Sequence, residues 1–228
     1  MPHLQNWAPW LAAALLIVGP VPGVGKQPSA DTIVAEVVQA MGGTGRLEAL
    51  RTLRFEYSAH GPGNPATWEI VRPNLVRKEI AGEFILIFDG HRAGFLQKHR
   101  EDGTYANPYL VPKEDWHHFE MDIALWVPAF LDYAASYAGK TDVDGHPAYL
   151  LTVSLPMGGD AAYVIDAQTF LPVRVDLPDW GLQRRQGDFR EVEGFLFPHR
   201  FWDASNPANV TVLENLKVNQ VLDRNQGT

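Results

Sequence analysis

Residues 66–90 read ATWEIVRPNLVRKEIAGEFILIFDG, and this stretch decides the fold. Two strand-like runs, 66–71 and 77–88, flank the segment Arg72-Pro73-Asn74-Leu75-Val76. Proline cannot donate to a sheet ladder and asparagine favours turns, so the segment is a tight connection between antiparallel strands. Asp89-Gly90 then gives a hairpin signal, which predicts a third strand over 92–97.

The composition is that of a globular protein with a core. The chain has 228 residues, of which 46% are hydrophobic and 20% are charged. Its formal net charge of −8 argues against a nucleic-acid partner, because phosphate binding needs clustered Lys and Arg. Cysteine is absent, which excludes disulfides, thiolate metal sites and a lipid-modified N-terminal cysteine. The sequence predicts no cofactor.

The N-terminus has the pattern of a targeting segment. An apolar run over 11–18 (LAAALLIV) is followed by glycines and prolines. The run is too short to span a bilayer and has the length of a signal-peptide core. We therefore expect residues 1–25 to be a cleavable signal peptide and residues 26–228 to form one exported, periplasmic domain. No Lys or Arg precedes the run, so an uncleaved hydrophobic tail is the alternative.

The remaining patterns predict an α+β fold. A cap at Ser29 or Asp31 precedes apolar residues at helical spacing, which are Ile33, Val34, Val37, Val38 and Met41. Leucines at steps of three predict a short second helix: Leu47, Leu50 and Leu53. Strand patterns dominate from Arg54 onward, apart from two aromatic-rich helices predicted over Lys113 to Trp126 and Pro128 to Tyr137. We expect a strongly curved antiparallel sheet.

The motif order around the opening stretch resembles the LolA-type periplasmic lipoprotein carriers. The likeness runs through Arg72-Pro73-Asn74-Leu75 and Phe88-Asp89-Gly90, each between strands, and continues more weakly through Pro128, Phe130 and Leu131. The resemblance implies an unclosed antiparallel half-barrel with helices covering its concave face. It implies a non-enzymatic carrier or chaperone for a lipid or lipoprotein acyl chain, and it leaves open transfer partners at the inner and outer membranes.

A ligand-binding wall follows from the strand alternation and from this resemblance. Its expected members are Trp68, Ile70, Arg72, Leu75, Val76, Phe84, Leu86, Phe88, Trp126 and Phe130. In LolA-type carriers the arginine of the motif hydrogen-bonds to the backbone of the lid, and Arg72 occupies that position. The alternative is that Arg72 is an exposed arginine at a strand end.

Two other functions stay open. The same scaffold suits an envelope-stress sensor or another protein-binding module. His117 and His118 suggest a metal-assisted hydrolase, because Asp122 lies one helical turn beyond His118. No third ligand has suitable spacing, and the chain lacks HExxH and G-x-S-x-G motifs, so we expect neither histidine to ligate a metal.

Overall fold

The computed structural model describes residues 27–58, 65–90 and 94–220. Helices are few in this part of the chain: α1 (Ala30–Ala40), α2 (Thr44–Ala49), α3 (His117–Ala124), and single 3-10 turns at Lys113–Asp115, Ala129–Leu131 and Pro178–Trp180. The strands are β1 (Thr52–Ser58), β2 (Pro65–Val71), β3 (Leu75–Ile80), β4 (Phe84–Phe88), β5 (Gly94–Lys98), β6 (Tyr109–Leu110), β7 (Ser136–Val143), β8 (His146–Ser154), β9 (Asp160–Asp166), β10 (Pro172–Leu177), β11 (Leu182–Val192), β12 (Phe195–Asp203), β13 (Asn206–Val212) and β14 (Glu214–Val218).

The first sheet contains residues 66–88. Its strand order is β14-β1-β2-β3-β4-β5-β6, and every neighbouring pair is antiparallel. The predicted tight connection is the turn between β2 and β3, where Val71 pairs with Leu75. The predicted hairpin between β4 and β5 also forms, with Phe88 opposite Gly94. Local turn chemistry therefore predicts these two hairpins, whereas the pairing of β14 with β1 is long-range.

The predicted antiparallel strands form two sheets, which are unclosed. The second sheet is an antiparallel meander in the order β13-β12-β11-β10-β9-β8-β7. The chain changes sheets at Leu213, whose side chain is buried and whose N–H donates to the His199 carbonyl. β14 then pairs with β1 instead of continuing beside β12. The described residues therefore form two seven-stranded antiparallel sheets joined through this crossing.

The N-terminal helix matches its prediction. The Ser29 hydroxyl accepts a hydrogen bond from the Thr32 N–H and caps α1. After the helix, Gly42 adopts a φ of +135°, and a Cβ there would lie 2.6 Å from the Gly194 carbonyl oxygen. Only glycine permits this close approach, which seats the end of α1 on the turn between β11 and β12.

The middle of the chain contains less helix than predicted. The segment Lys113 to Trp126 is a 3-10 turn followed by the two-turn helix α3. The predicted helix from Pro128 to Tyr137 is a single 3-10 turn, and Tyr137 lies in β7. Edge pairing of β7 with β8 therefore outweighs the local helical pattern. Leu53, expected on the short second helix, lies in β1, where it pairs with Ile70 of β2 and Val218 of β14.

Candidate functional site

One row of side chains crosses the first sheet from its edge strand β6 to β1, the neighbour of the opposite edge strand. Cross-strand partners in this row are, in order, Tyr109, Leu96, Leu86, Lys78, Trp68 and Phe55. Directly paired residues share a face of the sheet. Because Trp68 and Phe55 are fully buried, this face is the interior one. A single lysine therefore stands in an otherwise apolar and aromatic row.

A groove opens where the outer end of this row meets α3. Its volume is about 340 Å³. The lining is Leu86, Leu96, Tyr109, Val111, Pro112, Asp115, His118, Phe119 and Asp122. Leu86 belongs to the predicted ligand-binding wall; the groove's other residues do not. They come from β5, β6, the segment before α3 and α3 itself, and no local pattern in the sequence indicates that these elements share a surface.

The buried members of the predicted wall pack into a filled core: Trp68, Ile70, Val76, Phe88, Trp126 and Phe130. The centre of this core is Trp126, whose ring centroid lies 4.9 Å from Phe55, 5.6 Å from Trp68 and 5.0 Å from Phe201. Phe55 and Trp68 come from the first sheet and Phe201 from the second. Side chains of both sheets therefore meet on the segment after α3.

Two further members of the predicted wall, Leu75 and Phe84, are half-buried. Phe84 packs on a small separate cluster made by Ala66 and Ile80, at the far end of β2 and β3. The FILIF run of β4 thus contributes to three different environments. Phe88 joins the main core, where its ring stacks on Phe119 at 4.5 Å, Leu86 borders the groove, and Phe84 packs apart.

Arg72 is enclosed, with its side chain only 7% exposed, and is not a free strand-end residue. Its Nε and Nη2 donate to the two carboxylate oxygens of Asp132 at 3.0 and 2.9 Å. Nη2 also donates to the Leu131 carbonyl at 3.0 Å. Nη1 donates to the carbonyls of Leu47 at 2.8 Å and Leu50 at 3.0 Å. All five N–H donors of the guanidinium are thus used, and Arg72 ties the β2–β3 turn to α2 and to the segment after Pro128.

The Asp132 carboxylate completes this arrangement and was missed from sequence. The resemblance predicted backbone acceptors, and the Leu131 carbonyl is one. Nothing local marks Asp132, which lies sixty positions beyond Arg72 in the chain. A second tie holds the same segment from the other sheet. The buried Tyr163 hydroxyl accepts from the Ala129 N–H at 2.8 Å and donates to the Ala124 carbonyl at 3.1 Å. Its burial raises the pKa of Tyr163.

A buried carboxylate anchors α3. Glu120 is 3% exposed and accepts from the Met157 N–H at 2.7 Å and the Tyr133 hydroxyl at 3.2 Å. The Asn74 side chain also donates to it. Burial raises the pKa of Glu120 above its ordinary value, against the effect of these hydrogen bonds. The carboxylate thus joins α3 to the β2–β3 turn and to the β8–β9 turn.

The two neighbouring histidines have ordinary structural partners. The His117 Nδ1 lies 2.7 Å from the Glu114 carbonyl oxygen, to which it donates. The His118 Nδ1 accepts from the Trp180 indole N–H at 2.9 Å, which connects α3 to the turn after β10. Within residues 27–58, 65–90 and 94–220, no three His, Asp or Glu side chains are grouped to hold a metal ion.

The fold has relatives among solved structures. A DUF1329 family protein from Desulfovibrio piger is 12% identical, with 84% of this chain and 94% of that chain covered at a TM-score of 0.50. A LolA superfamily protein from Nitrosomonas europaea is 12% identical over 86% and 96% of the two chains, with a TM-score of 0.48. An outer membrane lipoprotein-sorting protein domain from Vibrio parahaemolyticus is 12% identical over 84% and 94%, with a TM-score of 0.41.

At this identity the likeness to the Desulfovibrio piger structure is one of fold alone. No family model and no curated protein matches the sequence. Among the described residues, no helix has both the length and the apolar character needed to cross a membrane. The predicted signal peptide lies outside the described residues.

Proposed function

We propose that the protein is a periplasmic carrier that binds the acyl chain of a lipid or lipoprotein and moves it across the cell envelope. In this proposal the two sheets together are the unclosed half-barrel, residues 26–228 act as one exported domain, and the segment from α3 to Asp132 is the lid over the concave face. Partners at the inner and outer membranes would load and unload the cargo.

The observation that carries this proposal is the groove beside α3. Its walls are mainly apolar, and its volume of about 340 Å³ lies in the range of small-molecule sites. Its floor, Leu86 and Leu96, continues in register toward the aromatic core. Burying ten methylenes there gains on the order of 8 kcal/mol before entropy costs are deducted. Such a site needs no catalytic group.

A longer chain requires the lid to move, because Trp126 fills the space between the sheets. The lid is fastened by the Arg72–Asp132 pair and by the Tyr163 hydroxyl. These polar contacts stabilise the closed, empty state, and a bound chain would replace the apolar contacts of Trp126. Closing the lid again would then help to expel the cargo at the acceptor membrane.

A vesicle-to-vesicle transfer assay with a fluorescent phospholipid tests the groove. Leu96→Arg places a charge on the groove floor and should abolish protein-dependent transfer. Phe95→Arg is the matched control, because Phe95 is the next residue of β5, points to the opposite face and is 38% exposed. It should leave transfer unchanged. Equal transfer by wild type and Leu96→Arg would contradict the proposal.

Arg72→Leu tests the lid in the same assay. The variant loses the bonds that hold the closed state, each worth about 1.5–3 kcal/mol when charge-assisted. We expect it to accept lipid from donor vesicles but to deliver it slowly to acceptors. Unchanged loading and delivery would leave Arg72 with a purely structural role.

A further inference from the structure

Two cations lie on the aromatic cluster in the interior. Lys78 Nζ is 4.7 Å from the Trp68 ring centroid, and the Arg184 guanidinium carbon is 4.1 Å from the Trp126 centroid and 4.8 Å from that of Phe201. Lys78 comes from the first sheet and Arg184 from the second. The Trp68 and Trp126 rings are 5.6 Å apart. The two sheets therefore bring positive charge to one aromatic centre.

The charge of these cations is only partly balanced. Lys78 pairs loosely with Asp122, at 3.8 Å. The Arg184 side chain is half-buried and makes no hydrogen bond or ion pair with any residue in the described part of the chain. Its cross-strand neighbour Asp203 accepts hydrogen bonds from Ser205 instead. Burial lowers the pKa of Arg184 to about 10, while Tyr57, Asp122 and Asp203 act in the opposite direction.

A second donor at this centre also lacks a partner. The Trp126 indole N–H is buried and has no acceptor among the described residues, and Trp126 itself is 6% exposed. Buried donors are paired in nearly all proteins, and an unpaired one marks strain, a function or an unseen ligand. The Arg184 guanidinium lies over the ring that carries this N–H, and neither group has an acceptor side chain or carbonyl among the described residues, so the pair is complementary to an anion.

We propose that Arg184, Lys78 and the Trp126 N–H bind the acidic headgroup, a carboxylate or a phosphate, of a single-chain amphiphile whose tail lies in the groove. The register supports this placement, because Lys78 is the direct cross-strand neighbour of Leu86 on the groove floor. The groove also ends at Asp122, the partner of Lys78. Its volume suits one chain better than two. The inference rests on the proposed function and specifies its cargo.

The test compares ligands with one tail and different heads. Binding of dodecanoate, dodecyl phosphate and dodecanol is measured by titration calorimetry at a pH where the carboxylate is ionised. We expect both anionic ligands to bind at least about tenfold more tightly than dodecanol, the difference that one charge-assisted bond supplies. Inorganic phosphate, which has the head without the tail, should bind far more weakly than dodecyl phosphate.

Arg184→Met and Arg185→Met form a matched pair. Successive residues of a strand point to opposite faces, and Arg185 pairs with Asp144 at 2.9 Å on the other face. Arg184→Met should reduce dodecanoate affinity about tenfold, to that of dodecanol, while Arg185→Met should match wild type. Equal losses in the two variants would overturn the assignment.

The wild-type titrations decide the proposal even without the variants. Equal affinity for dodecanoate and dodecanol would overturn the headgroup site and leave the carrier function standing. Binding of inorganic phosphate as tight as that of dodecyl phosphate would show an anion site that ignores the tail, and would contradict the carrier. Failure of all four ligands to bind would contradict both.

Discussion

Arg72 and Arg184 lie inside the same protein in opposite surroundings. All five donors of Arg72 are bonded, to Asp132 and to three backbone carbonyls. The Arg184 guanidinium lies over two aromatic rings, and its side chain makes no hydrogen bond or ion pair with the described residues. An arginine whose donors are all hydrogen-bonded to the protein fixes the elements around it. An arginine whose donors have no protein acceptor can bind a ligand. The difference separates the part of the interior that holds the fold from the part that we propose holds the cargo.

The largest expected loss of stability comes from replacing Arg72. Arg72→Leu leaves the Asp132 carboxylate and three carbonyls without their donor, and breaking such a pair costs about 3–5 kcal/mol of unfolding free energy. Urea denaturation measures the loss. Arg77→Leu is the control, because Arg77 is 21% exposed and pairs with Glu79 on the outer face of β3. Its loss should be about 1 kcal/mol or less. Similar losses in both would mean that Arg72 does not fasten the lid.

Removing the hydroxyl of Tyr163 should cause the second-largest loss of stability. Tyr163→Phe leaves the Ala129 N–H without an acceptor in a buried place, which costs about 1–3 kcal/mol. Tyr149→Phe is the control, since the Tyr149 hydroxyl has no hydrogen bond to the described residues. Thermal unfolding of both variants checks this. A Tyr163→Phe protein as stable as Tyr149→Phe would show that water or backbone movement replaces the bond.

Glu120 should make stability depend on pH. Its pKa is raised in the folded protein, so its favourable contribution is complete below the ordinary value of 4.5 and is lost as pH rises through the raised pKa. Glu120→Gln lacks this titration. The unfolding free energy of wild type should therefore fall relative to Glu120→Gln as pH rises. Glu114→Gln, at an exposed position near the same helix, should follow the wild-type curve. A constant gap between wild type and Glu120→Gln would contradict the expectation.

The smallest change in stability is expected from replacing Arg184. Arg184→Met removes a charge that has no acceptor and loses only ring contacts, so lipid-free protein should change in stability by less than about 1 kcal/mol. Urea denaturation of protein stripped of lipid measures the change. A loss as large as that of Arg72→Leu would mean that Arg184 supports the fold.

The sequence predicted what short-range chemistry determines. Pro73, Asn74 and Asp89-Gly90 placed two hairpins, and Ser29 placed a helix start, because each acts on residues beside it. The division into two sheets depends on the crossing at Leu213, and the loss of the helix predicted from Pro128 to Tyr137 depends on pairing between β7 and β8. Neither is visible locally.

Some residues of the candidate site could also be predicted from the sequence, and others could not. Alternation marked Trp68 and Ile70 as interior, and the resemblance marked Arg72. Asp132 was missed because it meets Arg72 only after the chain has folded, and Arg184 was missed because a lone arginine in a strand looks exposed. The groove combines strands and a helix start that are distant in sequence.

Native mass spectrometry after incubation with phospholipid vesicles tests the carrier function most directly. Protein re-isolated from the vesicles should carry one lipid molecule per chain, and the adduct should be absent from Leu96→Arg and present in Phe95→Arg. Wild-type protein that carries no lipid, or an adduct that survives unchanged in Leu96→Arg, would contradict the proposal that this groove holds an acyl chain.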